Sequence, residues 1–258
     1  MEILNIYPCT NCPRSCKFCY VNKSTKSLDI NVLDNFLKEN SQKFDKIIIS
    51  GGEPDNLEKI YFNDIVNTVK KYKETVYVQT YPVSIKNYRE DVEYILSYDF
   101  FERPCRYEAW TNILNFPKKF DLQMVLTPVN ITLNPNAIFR KLILLKNMKS
   151  VEFTPYYDEY INVGKMKKLI NLFFTILLSS KLNVPFSIVN KDKLLSGKTE
   201  DRNYYLMPDG KLTLETYDND DTRITPEIKP EEIGLYTPNI PDVYNLYNNN
   251  VKELVCRR

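Results

Sequence analysis

Short apolar runs alternate with longer amphipathic stretches from Glu2 to Ser180, and this alternation leaves few folds open to the chain. The runs "EILNIY" (2–7), "FDKIIIS" (44–50), "TVYVQT" (75–80), "FDLQMVLT" (120–127) and "SVEFTP" (150–155) read as strands, with "SYDFFE" (97–102) as a shorter one. Between and after them, "DINVLDNFLKEN", "IYFNDIVNTVKKY", "YREDVEYIL", "RYEAWTNILNF", "NAIFRKLILLKN" and "KMKKLINLFFTILLSS" carry apolar residues at helical spacing. In the first of these, Ile30, Leu33, Phe36 and Leu37 share a face. Six strand–helix units in series predict an α/β fold of parallel strands joined by right-handed helical crossovers. Such a sheet gathers its functional groups at the carboxyl ends of the strands.

After Leu182 the pattern changes. "NVPFSIV" and "NYYLMPDGKLTLETY" read as β-structure, with Asp209-Gly210 as a hairpin turn. The stretch from Asp218 to Arg258 is rich in Pro, Asn and Asp and reads as a loop-rich tail. The expected division is therefore a main unit, 1–181, and a C-terminal extension, 182–258, that covers the active site. With 258 residues, 43% of them apolar, the chain can bury a substantial core. A net charge of +2 supplies no overall basic field for nucleic acid. The N-terminal "MEILNIYPC" lacks the basic and apolar regions of a secretory signal. "LINLFFTILL" (169–178) falls far short of the ~20 apolar residues needed to span a bilayer. The default expectation is a cytoplasmic, reducing location with no membrane partner, where clustered cysteines bind metal more often than they form disulfides.

The chemistry is concentrated in "CTNCPRSCKFCY" (9–20), which holds four of the six cysteines. The chain contains no histidine. Ser-His-Asp and Cys-His catalysis are thereby excluded, as are His-ligated zinc hydrolases and non-haem iron sites. Cys12, Cys16 and Cys19 have the spacing C-x3-C-x2-C. Three thiolates so close on one loop can hold three irons of a cubane [4Fe–4S] cluster and leave the fourth open to a ligand. Cys9 extends the pattern. It is either a fourth ligand, giving a closed iron–sulfur or zinc module without catalysis, or a small buried side chain at the end of the first strand.

"CPRSCKFCY" resembles the signature of the radical SAM superfamily, with Phe18 as its aromatic position. "IIISGGEP" (47–54) resembles that family's second-strand motif. The resemblance implies a partial (βα)6 barrel, a [4Fe–4S] cluster on Cys12, Cys16 and Cys19, and S-adenosylmethionine bound at the open iron. It implies an oxygen-sensitive enzyme that takes electrons from a flavodoxin- or ferredoxin-type donor and abstracts a hydrogen atom through a 5′-deoxyadenosyl radical. It places Gly51, Gly52, Glu53 and Pro54 around the cofactor's amino end. The two glycines allow close approach of backbone to ligand, Glu53 supplies a carboxylate for an ammonium group, and Pro54 stiffens the turn. Phe18 and Tyr20 are placed beside the adenine, and Glu102 and Thr127 near the adenosine at strand ends. Cys105 and Cys256 are candidates for donating a hydrogen to a substrate radical.

The substrate is less constrained. "YYLMPDGKLTLETYDND…EEIG" resembles the SPASM domains of peptide-modifying relatives, but Thr and Leu stand where cluster-binding cysteines are expected. Peptide or protein modification is favoured slightly over small-molecule or nucleotide chemistry, and methyl transfer ranks last.

Overall fold

The computed structural model describes residues 1–19, 21–99, 103–127, 135–155, 187–188, 201–217 and 223–236. The element order begins with β1 (Glu2–Ile6), α1 (Ile30–Asn40), β2 (Lys46–Ile49), α2 (Lys59–Lys70), β3 (Tyr77–Thr80) and β4 (Glu93–Ser97). It continues with α3 (Arg106–Leu114), β5 (Phe120–Leu126), α4 (Pro135–Leu142), β6 (Met148–Pro155) and β7 (Ser187–Ile188). The later strands are β8 (Arg202–Leu206), β9 (Leu212–Leu214), β10 (Thr216–Tyr217) and β11 (Arg223–Ile224). Nine strands form one sheet in the order β7-β6-β5-β4-β3-β2-β1-β8-β9. Every neighbouring pair is parallel except β8–β9. The fold is thus mixed α/β on a parallel sheet, as the alternation predicts, and it is compatible with a partial barrel.

Register explains the layering. Leu4, Ile6, Ile47, Ile49, Val78, Leu96, Leu122 and Met124 alternate along their strands and are buried in one cluster with Leu33 and Leu37 of α1 and Phe62 and Ile65 of α2. Intervening positions occupy the opposite face, which is polar toward the strand ends. There Gln79 donates to Ser97 Oγ at 3.4 Å and to Gln123 Oε1. Asn5 is also buried, and its amide donates to the Tyr204 carbonyl at 3.4 Å.

One expectation changes. "YREDVEYIL" is not helical: Glu93–Ser97 is a strand, so β3 leads to β4 through an irregular connection and "SYDFFE" only begins at its last residue. The stretch fits both periods, because Val92 and Ile95 suit a helix while Val92, Tyr94 and Leu96 alternate. Pairing with β3 on one side and β5 on the other decides in favour of the strand. β8 pairs in parallel with β1. Strands on both sides of residue 182 therefore share one sheet. The Glu2 carboxylate on β1 receives the Arg202 guanidinium and, at 2.7 Å, the Tyr204 hydroxyl. The Asp209-Gly210 turn is present between β8 and β9, with Gly210 at φ +81°. The predicted "KMKK…LLSS" helix and the tail from Thr237 onward lie outside the described residues. No helix among the described residues is long and apolar enough to cross a membrane.

Candidate functional site

The parallel strands place the loops after β1, β2, β3, β4 and β5 at one edge of the sheet. The loop after β1 carries the cysteines and is closed at its neck. Leu28 N–H donates to the Pro8 carbonyl at 2.7 Å, and Cys9 and Ser27 form an antiparallel bridge. Tyr61 on α2 clasps this neck, its hydroxyl lying 3.1 Å from the Pro8 carbonyl and 2.6 Å from the Leu28 carbonyl. Within the loop, the Lys23 ammonium donates to the Arg14 carbonyl and Cys19 N–H donates to the Cys16 carbonyl at 3.1 Å.

Cys9 is buried, and its thiol faces the Asn11 carbonyl at 3.7 Å. Burial pushes this thiol's pKa up, which suits an inert side chain. Cys12 and Cys16 are half-buried and Cys19 is exposed. Burial also raises the Cys16 pKa, and the Arg103 guanidinium opposes that rise more strongly than any other neighbour. Among the described residues, no three Cys, His, Asp or Glu side chains converge closely enough to hold a metal ion. The donor set nevertheless fits a thiolate-ligated cluster: three free thiols on one neck-closed loop, close enough for Cys12 and Cys19 to act electrostatically on Cys16. Metal binding commonly completes such a site, because thiolates brought together without the cation repel one another.

The loop after β2 interlocks with the cysteine loop. Gly52 N–H donates to the Cys9 carbonyl at 2.9 Å. A Cβ on Gly52 would stand 2.1 Å from the Asn11 carbonyl oxygen, and one on Gly51, at φ +101°, would stand 2.8 Å from the Cys9 carbonyl oxygen. The close approach these glycines permit is thus to the cysteine loop's own backbone. Pro54 is buried at the first position of a short 3-10 helix, Pro54–Asn56.

Glu53 is 4% exposed and fully engaged. Its carboxylate receives the Arg14 guanidinium at 2.5 Å, the Tyr81 and Asp55 N–H groups at 3.2 Å each, and the Thr80 hydroxyl. Burial raises its pKa, and the Arg14 charge pulls the other way. The carboxylate predicted to meet a ligand's ammonium group therefore holds a guanidinium from the cysteine loop.

Tyr81, just past β3, joins the two loops. Arg14 and Arg103 each place the guanidinium carbon 5.0 Å from its ring centroid, and its hydroxyl donates to the Pro104 carbonyl at 2.9 Å. Arg103 also lies 5.0 Å over the Phe18 ring and donates to Asp99 at 2.9 Å. Of the remaining predicted residues, Thr127 is fully buried just past β5. Cys105 is exposed in a left-handed conformation, φ +56°, at the start of α3. Tyr20, Glu102 and Cys256 lie outside the described residues. Sequence reading missed Arg14, Thr80, Tyr81, Asp99 and Arg103. Arg14 carries a signal, a cation inside the cysteine motif; the others carry none beyond their place after strands.

The chain matches no protein-family model and no curated relative. Solved structures to which it is similar include the following. One is anSMEcpe with bound AdoMet and Cp18Cys peptide, at TM-score 0.66 and 17% identity, covering 98% of this chain and 81% of that one. Another is Streptococcus suis SuiB bound to the precursor peptide SuiA, at TM-score 0.59 and 14% identity, covering 81% of this chain. The likeness spans 58% of the SuiB chain, less than two thirds of its length. In fold, the chain is similar to proteins whose solved structures hold AdoMet and peptides.

Proposed function

We propose that the chain is a radical SAM enzyme that modifies a peptide or protein. The observation that carries this reading is the interlock of "CPRSCKFC" with "GGEP": Gly52 N–H on the Cys9 carbonyl at 2.9 Å and Arg14 on Glu53 at 2.5 Å. It brings three thiols and one buried carboxylate to the same sheet edge. The likeness in fold to a protein with bound AdoMet adds support.

Cys12, Cys16 and Cys19 would hold the [4Fe–4S] cluster. Cluster and S-adenosylmethionine together supply, when bound, a 5′-deoxyadenosyl radical that removes one substrate hydrogen. Glu53 and the backbone of Gly51–Pro54 would orient the amino end of the methionine, with Arg14 yielding its place on the carboxylate. Phe18, Tyr20, Glu102 and Thr127 would surround the adenosine. The extension from residue 182 would cover the site and keep water and oxygen out. The amides of Asn5, Gln79 and Gln123 on the polar face suit a substrate that offers backbone N–H and C=O groups. The peptides bound to SuiB and anSMEcpe favour the same substrate class. A flavodoxin- or ferredoxin-type protein would supply the electron.

The test is anaerobic. Protein reconstituted with iron and sulfide is given dithionite and S-adenosylmethionine, and 5′-deoxyadenosine and methionine are followed by mass spectrometry. Formation of both, lost in Cys12→Ala, Cys16→Ala and Cys19→Ala together with iron and retained in Cys9→Ala, is the expected result. Bound zinc in place of iron, or full iron content in all three variants, overturns the reading.

A further inference from the structure

We propose that Arg103 is a positioning residue that sets the reduction potential of the cluster held by the cysteine loop. This rests on the assignment of Cys12, Cys16 and Cys19 as its ligands.

The guanidinium is fixed from three sides. Its Nε donates to Asp99 at 2.9 Å, and Asp99 has no exposed surface. Its carbon lies 5.0 Å over the Tyr81 ring and 5.0 Å over the Phe18 ring. Tyr81 is held in turn by its N–H on Glu53 and its hydroxyl on the Pro104 carbonyl. Phe18 stands between Cys16 and Cys19, so the stack places a permanent cation beside the segment that supplies two of the three ligands. Only a planar, delocalised cation can cover two rings while keeping a directed bond to a carboxylate.

Arg14, the arginine of the cysteine loop itself, is committed elsewhere, because it is paired with the buried Glu53. Asp99 partly compensates Arg103, but of the two it is the guanidinium that lies over the Phe18 ring. The side chain is only 13% exposed, so water screens this field weakly. Reduction adds one negative charge to a cluster. A nearby net positive charge stabilises the reduced form and raises its potential, since net charge and burial tune such centres. Arg103 thereby makes the cluster easier for an electron donor to reduce.

The experiment reconstitutes the full chain with iron and sulfide, counts iron per chain, and measures the midpoint potential by dye-mediated titration. Arg103→Gln is expected to load iron and titrate at a lower potential than wild type. Arg103→Lys, which keeps the charge, is expected to stay closer to wild type. Asp99→Asn removes the counter-charge and is expected to shift the potential upward. Coincident potentials for wild type and Arg103→Gln overturn the proposal. If Arg103→Gln takes up no iron, Asp99→Asn decides: an upward shift supports the proposal and an unchanged potential overturns it. Wild-type protein that binds no iron overturns the parent reading and this one together, whereas loaded wild type with unshifted variants overturns this one alone.

Discussion

Arg14 reaches out of the cysteine loop to place Nη1 2.5 Å from Oε2 of Glu53, and both side chains are nearly buried, at 11% and 4% exposure. Removing one member of such a pair leaves the other charge without compensation, while removing both spares that penalty. Glu53→Gln is therefore expected to destabilise the cofactor-free protein by about 3–5 kcal/mol. Arg14→Met with Glu53→Gln is expected to cost much less than the two single changes summed, because the residues share one interaction. Urea unfolding of the four proteins in the cycle measures this directly. Additive effects would mean the contact contributes nothing.

The fit of Gly52 against the cysteine loop yields a second prediction. A methyl group there meets the Asn11 carbonyl at 2.1 Å, so loop or strand must move. Gly52→Ala is expected to lower stability by roughly 1–3 kcal/mol or more and to reduce iron uptake. Gly234→Ala is the control: φ is +86° but nothing lies within 4 Å of the added carbon. Its cost is backbone strain alone, roughly 1–2 kcal/mol, with iron uptake unchanged.

Tyr61 closes the neck of the loop with one hydroxyl on two carbonyls, Pro8 and Leu28. Burial pushes its pKa up to about 12, so the hydroxyl stays protonated near neutral pH. Tyr61→Phe keeps the ring and removes the clasp. The expected loss is about 1–2 kcal/mol. Hydrogen exchange is expected to quicken at the Leu28 amide, whose bond to the Pro8 carbonyl bridges the neck.

A pH effect follows from Glu93 on β4. A hydrogen bond from Lys149, seconded by Lys118, holds its carboxyl below the ordinary value of 4.5. A depressed carboxyl stabilises the fold above its unfolded pKa and loses that contribution as pH falls through the folded value. Wild type is therefore expected to exceed Glu93→Gln in stability at pH 7 and to lose the difference below pH 4.5. The group is 29% exposed, so the difference is about 1 kcal/mol or less. Urea midpoints at several pH values check it; a constant difference would contradict the ion-pair account.

Local order along the chain was enough for much of the fold and part of the site. Runs such as "KIII" and "LQMVL" are strands because β-branched and apolar residues in short series suit a sheet buried between layers. The cysteine spacing and "GGEP" mark the two loops that meet at the sheet edge. Residues 88–96 fit two periods at once, and only hydrogen bonding to β3 and β5 settled them as connection and strand. The place of β8 beside β1 likewise depends on contacts between residues some two hundred apart, such as Arg202 with Glu2. The same holds for the cluster of Arg14, Glu53, Tyr81, Asp99 and Arg103. They come from four loops, Asp99 and Arg103 both following β4, and although Glu53 lies in "GGEP" and Arg14 in the cysteine motif, the contacts that join the loops are set by burial and by partners that sequence spacing does not encode. What the glycines of "GGEP" approach was also a tertiary matter, since a small residue permits contact but does not choose the surface it meets.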